Sequence, residues 1–416
     1  MSTVSSITDV SVELPNAATV MAVLTFRQGF NSSMVVLGAT FLGLAAGSIG
    51  AFALLRRRAL MGDALAHSAL PGLALAYLLG VVWWGAERSL TLLLTGALLS
   101  GLLGVFFVQA ISRHTRLPED AAIGAVLSVF FGAGIVLLSV IQNMGTGTAG
   151  GLAYFIYGQT AAMSSDDALV TLAAALLAVV TAIFFFKEFR VICFDPEFAE
   201  AQGWPVNRLD LLLMGLVAFV TVVGLQSVGI LLIVAMLIIP PAAARFWSER
   251  LRTIVILSGA FGAISGYAGS AASSVLPRLP AGAVIVLIAG VVFFISFFLA
   301  PSRGLVAAMI RKRRLQLRIV EDHLLRELFE LREQGAPNDV SLALKRLGIG
   351  RMLLGYLLLR MRQKGFVASG AEGRLVLTDV GFAQAARMTR NHRLWEEYLL
   401  THGNVQTSHV DYSAVF

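Results

Sequence analysis

Cysteine is almost missing from this chain. Cys193 stands alone among 416 residues, so no disulfide can form within the chain, and cysteine usage says nothing further about the compartment. Charge is scarce as well. Only 14% of residues are Asp, Glu, Lys or Arg while 57% are hydrophobic, and a mean hydropathy of +0.79 leaves too little polar side chain to cover a soluble globule. A wholly soluble protein is thereby excluded, and most of the chain must be solvated by lipid. No G-x-x-x-x-G-K-[ST] loop occurs, which excludes a chain that cradles nucleotide phosphates in that manner. The N-terminus lacks a basic region leading into a short apolar core, so no cleaved signal peptide is expected.

What the chain has in quantity is long apolar runs. Crossing a hydrocarbon core of roughly 30 Å takes about 20 apolar residues in a helix, and charge-poor runs of that order recur up to Ala300. The pattern predicts about nine transmembrane helices, near 34–55, 64–82, 90–111, 121–141, 167–186, 209–225, 228–245, 253–274 and 281–300. Only Gln226 and Ser227 separate the sixth from the seventh. Basic residues belong on the cytoplasmic side. Arg56, Arg57 and Arg58 follow the first run, Arg113 and Arg116 the third, Lys187 and Arg190 the fifth, Arg245, Arg250 and Arg252 the seventh, and the Arg311–Arg314 cluster the ninth. Every second connection is basic, which predicts an extracytoplasmic N-terminal segment (1–33), a transmembrane domain (34–302) and a cytoplasmic C-terminal domain (303–416).

Charge supports that division. Met1 to Ser302 holds 14 Lys/Arg against 14 Asp/Glu, whereas Arg303 to Phe416 holds 18 against 11, so the whole net charge of +7 resides in the tail. Within the apolar part, Gly43, Ala46, Gly47 and Gly50 fall on one helical face, where small residues let backbones approach.

An ionisable residue inside a membrane span is costly and is a functional hypothesis by default. The main pair lies in Met61-Gly62-Asp63-Ala64-Leu65-Ala66-His67-Ser68-Ala69-Leu70-Pro71-Gly72, where Asp63 and His67, four apart, share a helix face. His67 is the one histidine inside a predicted span. Carboxylate oxygen with imidazole nitrogen suits Mn, Fe or Zn, and the lack of nearby thiolate or thioether clusters argues against Cu(I). The plain alternative is that Asp63 caps the helix at the interface and His67 hydrogen-bonds a neighbouring helix.

The stretch GDALAHSALPG resembles the signature of the ABC-importer permeases for manganese, zinc and iron (ABC-3 type). Further pieces follow in that family's order: Pro118-Glu119-Asp120-Ala121-Ala122-Ile123-Gly124, Tyr157-Gly158-Gln159, Phe194-Asp195-Pro196-Glu197-Phe198-Ala199, and Ile238-Ile239-Pro240-Pro241-Ala242-Ala243-Ala244-Arg245. The resemblance runs over roughly residues 25–302. It implies a bacterial plasma-membrane importer that works as a homodimer, is driven by a separate ATP-binding subunit and is fed from outside by a metal-binding protein. No cofactor would be held permanently, and the divalent metal would be cargo contacted by Asp63 and His67. The segment Phe194 to Asn207 reads as a short helix with Pro196 early and Gly203 as its stop. By the resemblance it docks on the ATPase, through Asp195, Pro196, Glu197, Phe198 and Gly203. A simple amphipathic connector is the alternative.

Beyond Pro301 the chain becomes amphipathic and charge-rich. Leu324, Leu325, Leu328 and Leu331 predict a helix over 319–335, followed by helices at 339–347 and 351–364, strands at 366–368 and 375–377 joined through Gly370 and Gly373, and a helix entered at Thr378. Three helices and a wing make a winged helix-turn-helix. The basic surplus suits nucleic-acid phosphates or anionic lipid headgroups alike.

Leu377-Thr378-Asp379 and Arg387-Met388-Thr389-Arg390-Asn391-His392-Arg393-Leu394-Trp395-Glu396 resemble the diphtheria-toxin-repressor family of metal-dependent regulators, over about residues 317–413. The resemblance implies His392, Glu396 and His409 as ligands of one metal position and His323 as a ligand of another. An exposed face of ordinary polar residues is the alternative. Ser413 stands where that family has a thiolate or carboxylate, so the second position is expected to be incomplete. The leucine-rich run Arg351-Met352-Leu353-Leu354-Gly355-Tyr356-Leu357-Leu358-Leu359-Arg360 offers few groups to read base edges. Two other readings stay open: a membrane-tethered metal-responsive regulator, and a siderophore or cobalamin permease, the latter lacking an Asp63/His67 signature.

Overall fold

A computed structural model describes residues 30–56, 58, 60–84, 90–143, 165–275, 280–333, 335, 351–369 and 375–402, with isolated positions 21, 25 and 27. The motif Tyr157-Gly158-Gln159, the expected helix 339–347, the loop around Gly370 to Gly373, and His409 and Ser413 lie outside the described residues. The chain divides into two compact units, 1–307 and 308–416.

The first unit is helical throughout its described residues. Its helices are α1 (Phe30–Leu55), α2 (Met61–Trp84), α3 (Leu90–His114), α4 (Glu119–Asn143), α5 (Ser165–Phe184), α6 (Phe186–Phe194), α7 (Pro196–Ala201), α8 (Val206–Val228), α9 (Ile230–Arg245), α10 (Leu251–Val275) and α11 (Ala281–Leu299). Gly229, at φ +88°, separates α8 from α9, so the break falls two residues past the Gln226-Ser227 position expected from sequence, where only glycine adopts the required backbone at little cost.

Seven of these helices are long and apolar enough to cross a membrane: α1, α3, α4, α5, α8, α10 and α11. The expected second and seventh spans are helices too, but not among the seven. α2 carries Asp63, His67, Ser68 and Pro71 in its first half, and the 16 residues of α9 reach only about 24 Å. The seven spans differ in depth. α1 and α8 are mostly buried, whereas α4, α5 and α11 turn Val136, Ile183, Phe184, Leu287 and Phe294 outward. Outward apolar side chains are what a hydrocarbon solvent tolerates.

The packing reading of the α1 glycines holds. A side chain at Gly43 or Gly47 would overlap the backbone carbonyls of Gly262 or Ser258 on α10, and one at Gly50 the carbonyl of Leu237 on α9. α1 is the axis against which α9 and α10 close, because a hydrogen in place of Cβ lets backbones touch.

The second unit has α12 (Leu305–Glu333), α13 (Arg351–Gln363), β1 (Val367–Ser369), β2 (Leu375–Leu377) and α14 (Asp379–His402). α12 starts 14 residues before the expected Ile319, because Leu305 to Glu333 contains no Gly or Pro to stop it. β1 and β2 pair antiparallel with Val367 opposite Leu377, one residue off the expected first strand. Thr378 caps α14, accepting from the Gly381 N–H at 3.0 Å. Leu324, Leu325, Leu328 and Leu331 form the core with Met361, Val367, Leu377 and Ala385. Buried Glu321 is paired with Lys364 and, at 3.4 Å, with Arg360, which fixes α12 to the end of α13. Leu357 of the leucine-rich run is buried, while Tyr356 and Leu359 face outward.

Candidate functional site

α2 begins with a tight entry: the Met61 N–H donates to the Arg58 carbonyl at 3.0 Å and the Asp63 N–H to that of Leu60 at 3.1 Å. Asp63 thus sits inside the first turn, where the helix dipole favours an anion. His67 follows one turn later, with Nε2 3.4 Å from Asp63 Oδ1. The edge of Phe131, from α4, meets the imidazole at a centroid distance of 4.9 Å.

The histidine's other nitrogen, Nδ1, is buried and has no hydrogen-bond partner among the described residues. The plain alternative has that ring bond a neighbouring helix; among the described residues no such bond forms at Nδ1. A buried unpaired ring nitrogen costs on the order of 1–3 kcal/mol, so its retention favours a site that a ligand completes. Asp63 is 37% exposed and His67 17%, so both remain reachable. Among the described residues no cluster of three or more His, Cys, Asp or Glu forms; one chain offers this pair, not a full coordination shell.

The segment 194–207 has the expected form. Asp195 is the N-cap of α7, its Oδ1 accepting the Phe198 N–H at 2.9 Å, and Pro196 occupies the first turn. Gly203, at φ +80°, ends the helix. Ala199 is buried, whereas Phe194, Phe198 and Trp204 are exposed, as is Glu197. Three exposed large apolar side chains beside a carboxylate are a docking surface in composition. Arg113, at the end of α3, donates to the Asn207 side chain and anchors the segment's far end.

Cys193 precedes this segment, its Sγ 3.6 Å from the Phe52 carbonyl of α1. Burial pushes its thiol up to about 12; Arg56 opposes that shift and Asp210 adds to it.

One group escaped the sequence reading. Asp210, in the second turn of α8, is buried and paired with Arg56 at 3.1 Å and with Arg58, and Arg58 also reaches Glu119 at 2.7 Å. In the sequence Arg56 and Arg58 read only as markers of orientation. An acidic residue inside a predicted span, 209–225, was the signal that could have found them.

In the second unit, His392 and Glu396 do come together, Nδ1 to Oε1 at 3.0 Å. Arg326, from α12, lies 2.8 Å from His392 Nε2, 3.9 Å from Glu396 Oε1, and donates to Glu330 at 2.7 Å. A guanidinium only donates, so Nε2 accepts from Arg326. The expected ligand pair therefore holds a cation already, a guanidinium. His323, expected at a separate position, lines the same cavity of about 230 Å³ as His392, with Asp322, Arg326, Asn391 and Trp395. Burial, then neighbouring Glu321, holds the Asp322 carboxyl above its ordinary range.

Comparison with known proteins places these features. The manganese transport system membrane protein MntC of Bacillus subtilis is 38% identical over 374 residues, covering 89% of this chain and 84% of that protein. An alignment that long must extend past residue 302 into the second unit. The zinc transport system membrane protein TroC of Treponema pallidum is 38% identical over 296 residues, 71% of this chain but 98% of that protein. A solved structure titled PsaBC from Streptococcus pneumoniae in complex with Fab superposes with a TM-score of 0.59 at 33% identity, over 68% of this chain and 97% of that one. The ABC 3 transport family profile matches residues 31–300, and the chain belongs to that family.

Proposed function

We propose that residues 34–302 are the membrane-spanning permease of an ATP-driven importer that carries Mn, Fe or Zn inward. The Asp63–His67 pair, exposed enough to meet an ion and retaining a buried unpartnered nitrogen, is the observation that carries this reading. One carboxylate and one imidazole are half of what a transition metal requires. Two copies about a twofold axis supply two of each, which is the physical reason for a homodimer. The relatives' names specify manganese and zinc.

The chain is not itself an enzyme. ATP hydrolysis belongs to a separate ATP-binding subunit seated on Asp195 to Gly203, and an extracytoplasmic metal-binding protein delivers the ion. Nine spans, with α2 and α9 included, put the N-terminus outside a bacterial plasma membrane and the C-terminal unit inside. A siderophore or cobalamin permease has no use for a carboxylate–imidazole pair, and a tethered regulator has no use for seven or more spans.

For the C-terminal unit we infer a winged helix-turn-helix regulator fold with a metal-responsive role, supported by the Thr378 cap, the β1–β2 pairing, the His392–Glu396 pair and the cavity that His323 and His392 both line. Nucleic-acid binding finds little support in α13, where Leu357 and Met361 are committed to the interior.

Uptake of radioactive Mn, Fe and Zn by cells carrying Asp63→Ala or His67→Ala tests the permease reading. Loss of accumulation with normal insertion is expected; unchanged uptake of all three ions by both variants removes the pair from transport.

A further inference from the structure

Four charged residues gather at the ends of α1, α4 and α8, outside both the cargo pair and the docking segment. The Asp210 side chain is 3% exposed. Its Oδ1 lies 3.1 Å from Arg56 Nε, its Oδ2 accepts from Arg58, and Arg58 Nε is 2.7 Å from Glu119 Oε1. Two guanidiniums thus balance two carboxylates. Removing a partner of buried Asp210 leaves its charge uncompensated, so intermediate arrangements at that carboxylate are disfavoured and its pairing prefers to be wholly made or wholly exchanged. A fork of five donors suits Arg58 to holding two carboxylates at once, which an ammonium does less well.

The positions matter as much as the charges. Asp210 is seven residues beyond Gly203, the positive-φ end of α7, and the Arg208 and Leu209 N–H groups both donate to the Pro205 carbonyl, leaving little slack between them. On the other side Arg58 is five residues before Asp63 and is tied to α2 through its own carbonyl, which accepts the Met61 N–H. Glu119 opens α4, the helix whose Phe131 meets the His67 ring. Arg58 therefore joins the start of α8 to both helices that frame the cargo pair.

We propose that Asp210 is a positioning residue that transmits displacement of the docking segment to the cargo pair: movement of α7 shifts the start of α8, the Asp210–Arg58–Glu119 pairing changes, and the first turn of α2 with Asp63 moves. This rests on the reading that 194–207 seats the ATPase and that Asp63 and His67 meet the ion. A coupling role, unlike a purely structural one, alters the ratio of ions moved to ATP consumed without altering assembly.

The test uses the whole transporter, with ATPase and binding protein, in proteoliposomes, recording Mn(II) uptake and ATP hydrolysis in one sample. Asp210→Asn keeps the shape and hydrogen-bonding capacity but removes the charge. It is expected to retain co-purification of the ATPase and Mn(II) binding while ions moved per ATP fall roughly tenfold. Arg58→Lys should fall in the same direction. Glu119→Gln, whose carboxylate is 37% exposed, should show a smaller fall. An unchanged ratio in Asp210→Asn, or a parallel loss of yield, melting temperature and both activities, overturns the proposal. Should Asp210→Asn fail to assemble, an unchanged ratio in Glu119→Gln overturns it instead. Failure of the underlying reading looks different: Phe198→Ala would leave the ATPase bound, or Asp63→Ala would leave uptake intact.

Discussion

Gly43 and Gly262 lie back to back where α1 crosses α10, each so close that a methyl group on either would overlap the other's carbonyl oxygen. Neither backbone can retreat without opening the crossing along Ala39, Gly47 and Ser258. Gly262→Val is therefore expected to lower the yield and melting temperature of the detergent-solubilised protein, at a cost of about 1–3 kcal/mol or more. Gly290→Ala, where an added Cβ meets nothing within 4 Å, should be neutral or stabilising by about 0.5–1 kcal/mol. Equal behaviour of the two variants would refute the crossing.

The docking surface proposed on α7 can be separated from its fold. Glu197→Lys reverses an exposed charge and is expected to weaken ATPase co-purification and transport-coupled hydrolysis without disturbing the spans. Asp195→Ala instead removes the cap that holds the Phe198 N–H, costing about 1 kcal/mol of local helix stability. Normal co-purification and hydrolysis in Glu197→Lys would move the docking site elsewhere.

Cys193 gives a pH-dependent reporter. Its folded-state thiol is raised from an ordinary value near 9.0 to about 12, chiefly by burial. A raised folded pKa contributes stability that is complete below the unfolded value and is lost as pH rises toward about 12. Slow maleimide labelling at pH 8, fast labelling after denaturation, and alkaline destabilisation that Cys193→Ser diminishes are the expected results. Rapid labelling of the folded protein at pH 8 would show the thiol to be accessible and ionisable.

In the C-terminal unit, a metal taken up at His392 Nε2 as proposed would have to displace the Arg326 guanidinium. With Asp63→Ala silencing the transmembrane pair, equilibrium dialysis of the full-length protein should show Zn(II) or Mn(II) binding that His392→Ala abolishes and Arg326→Ala tightens, by roughly tenfold if one charge-assisted contact is removed. If Arg326→Ala has no effect on affinity, His392 does not receive the metal through Nε2.

Much of this protein is legible without coordinates, because its strongest signals are local. Apolar run length located the helices of the first unit to within a few residues, and four-residue spacing put Asp63 and His67 on one face of α2. Pro196 and Gly203 announced the short helix between them, and Thr378 the start of α14. Where sequence and structure differ, the cause is equally local: α12 starts upstream of Ile319 because no Gly or Pro from Leu305 onward breaks it, and α9 is shorter than a bilayer because Gly229, not Gln226, ends α8.

Composition and spacing alone determined that the chain is a polytopic membrane protein with a basic tail and one carboxylate–imidazole pair in an apolar helix. Tertiary structure decided which partners the charges took. Arg56 and Asp210 are 154 residues apart, and Arg326 and His392 are 66. No periodicity reaches across such distances, because it is the close crossings of glycine-faced helices and the burial of leucine rows, not local propensity, that choose which distant side chains end up neutralising one another.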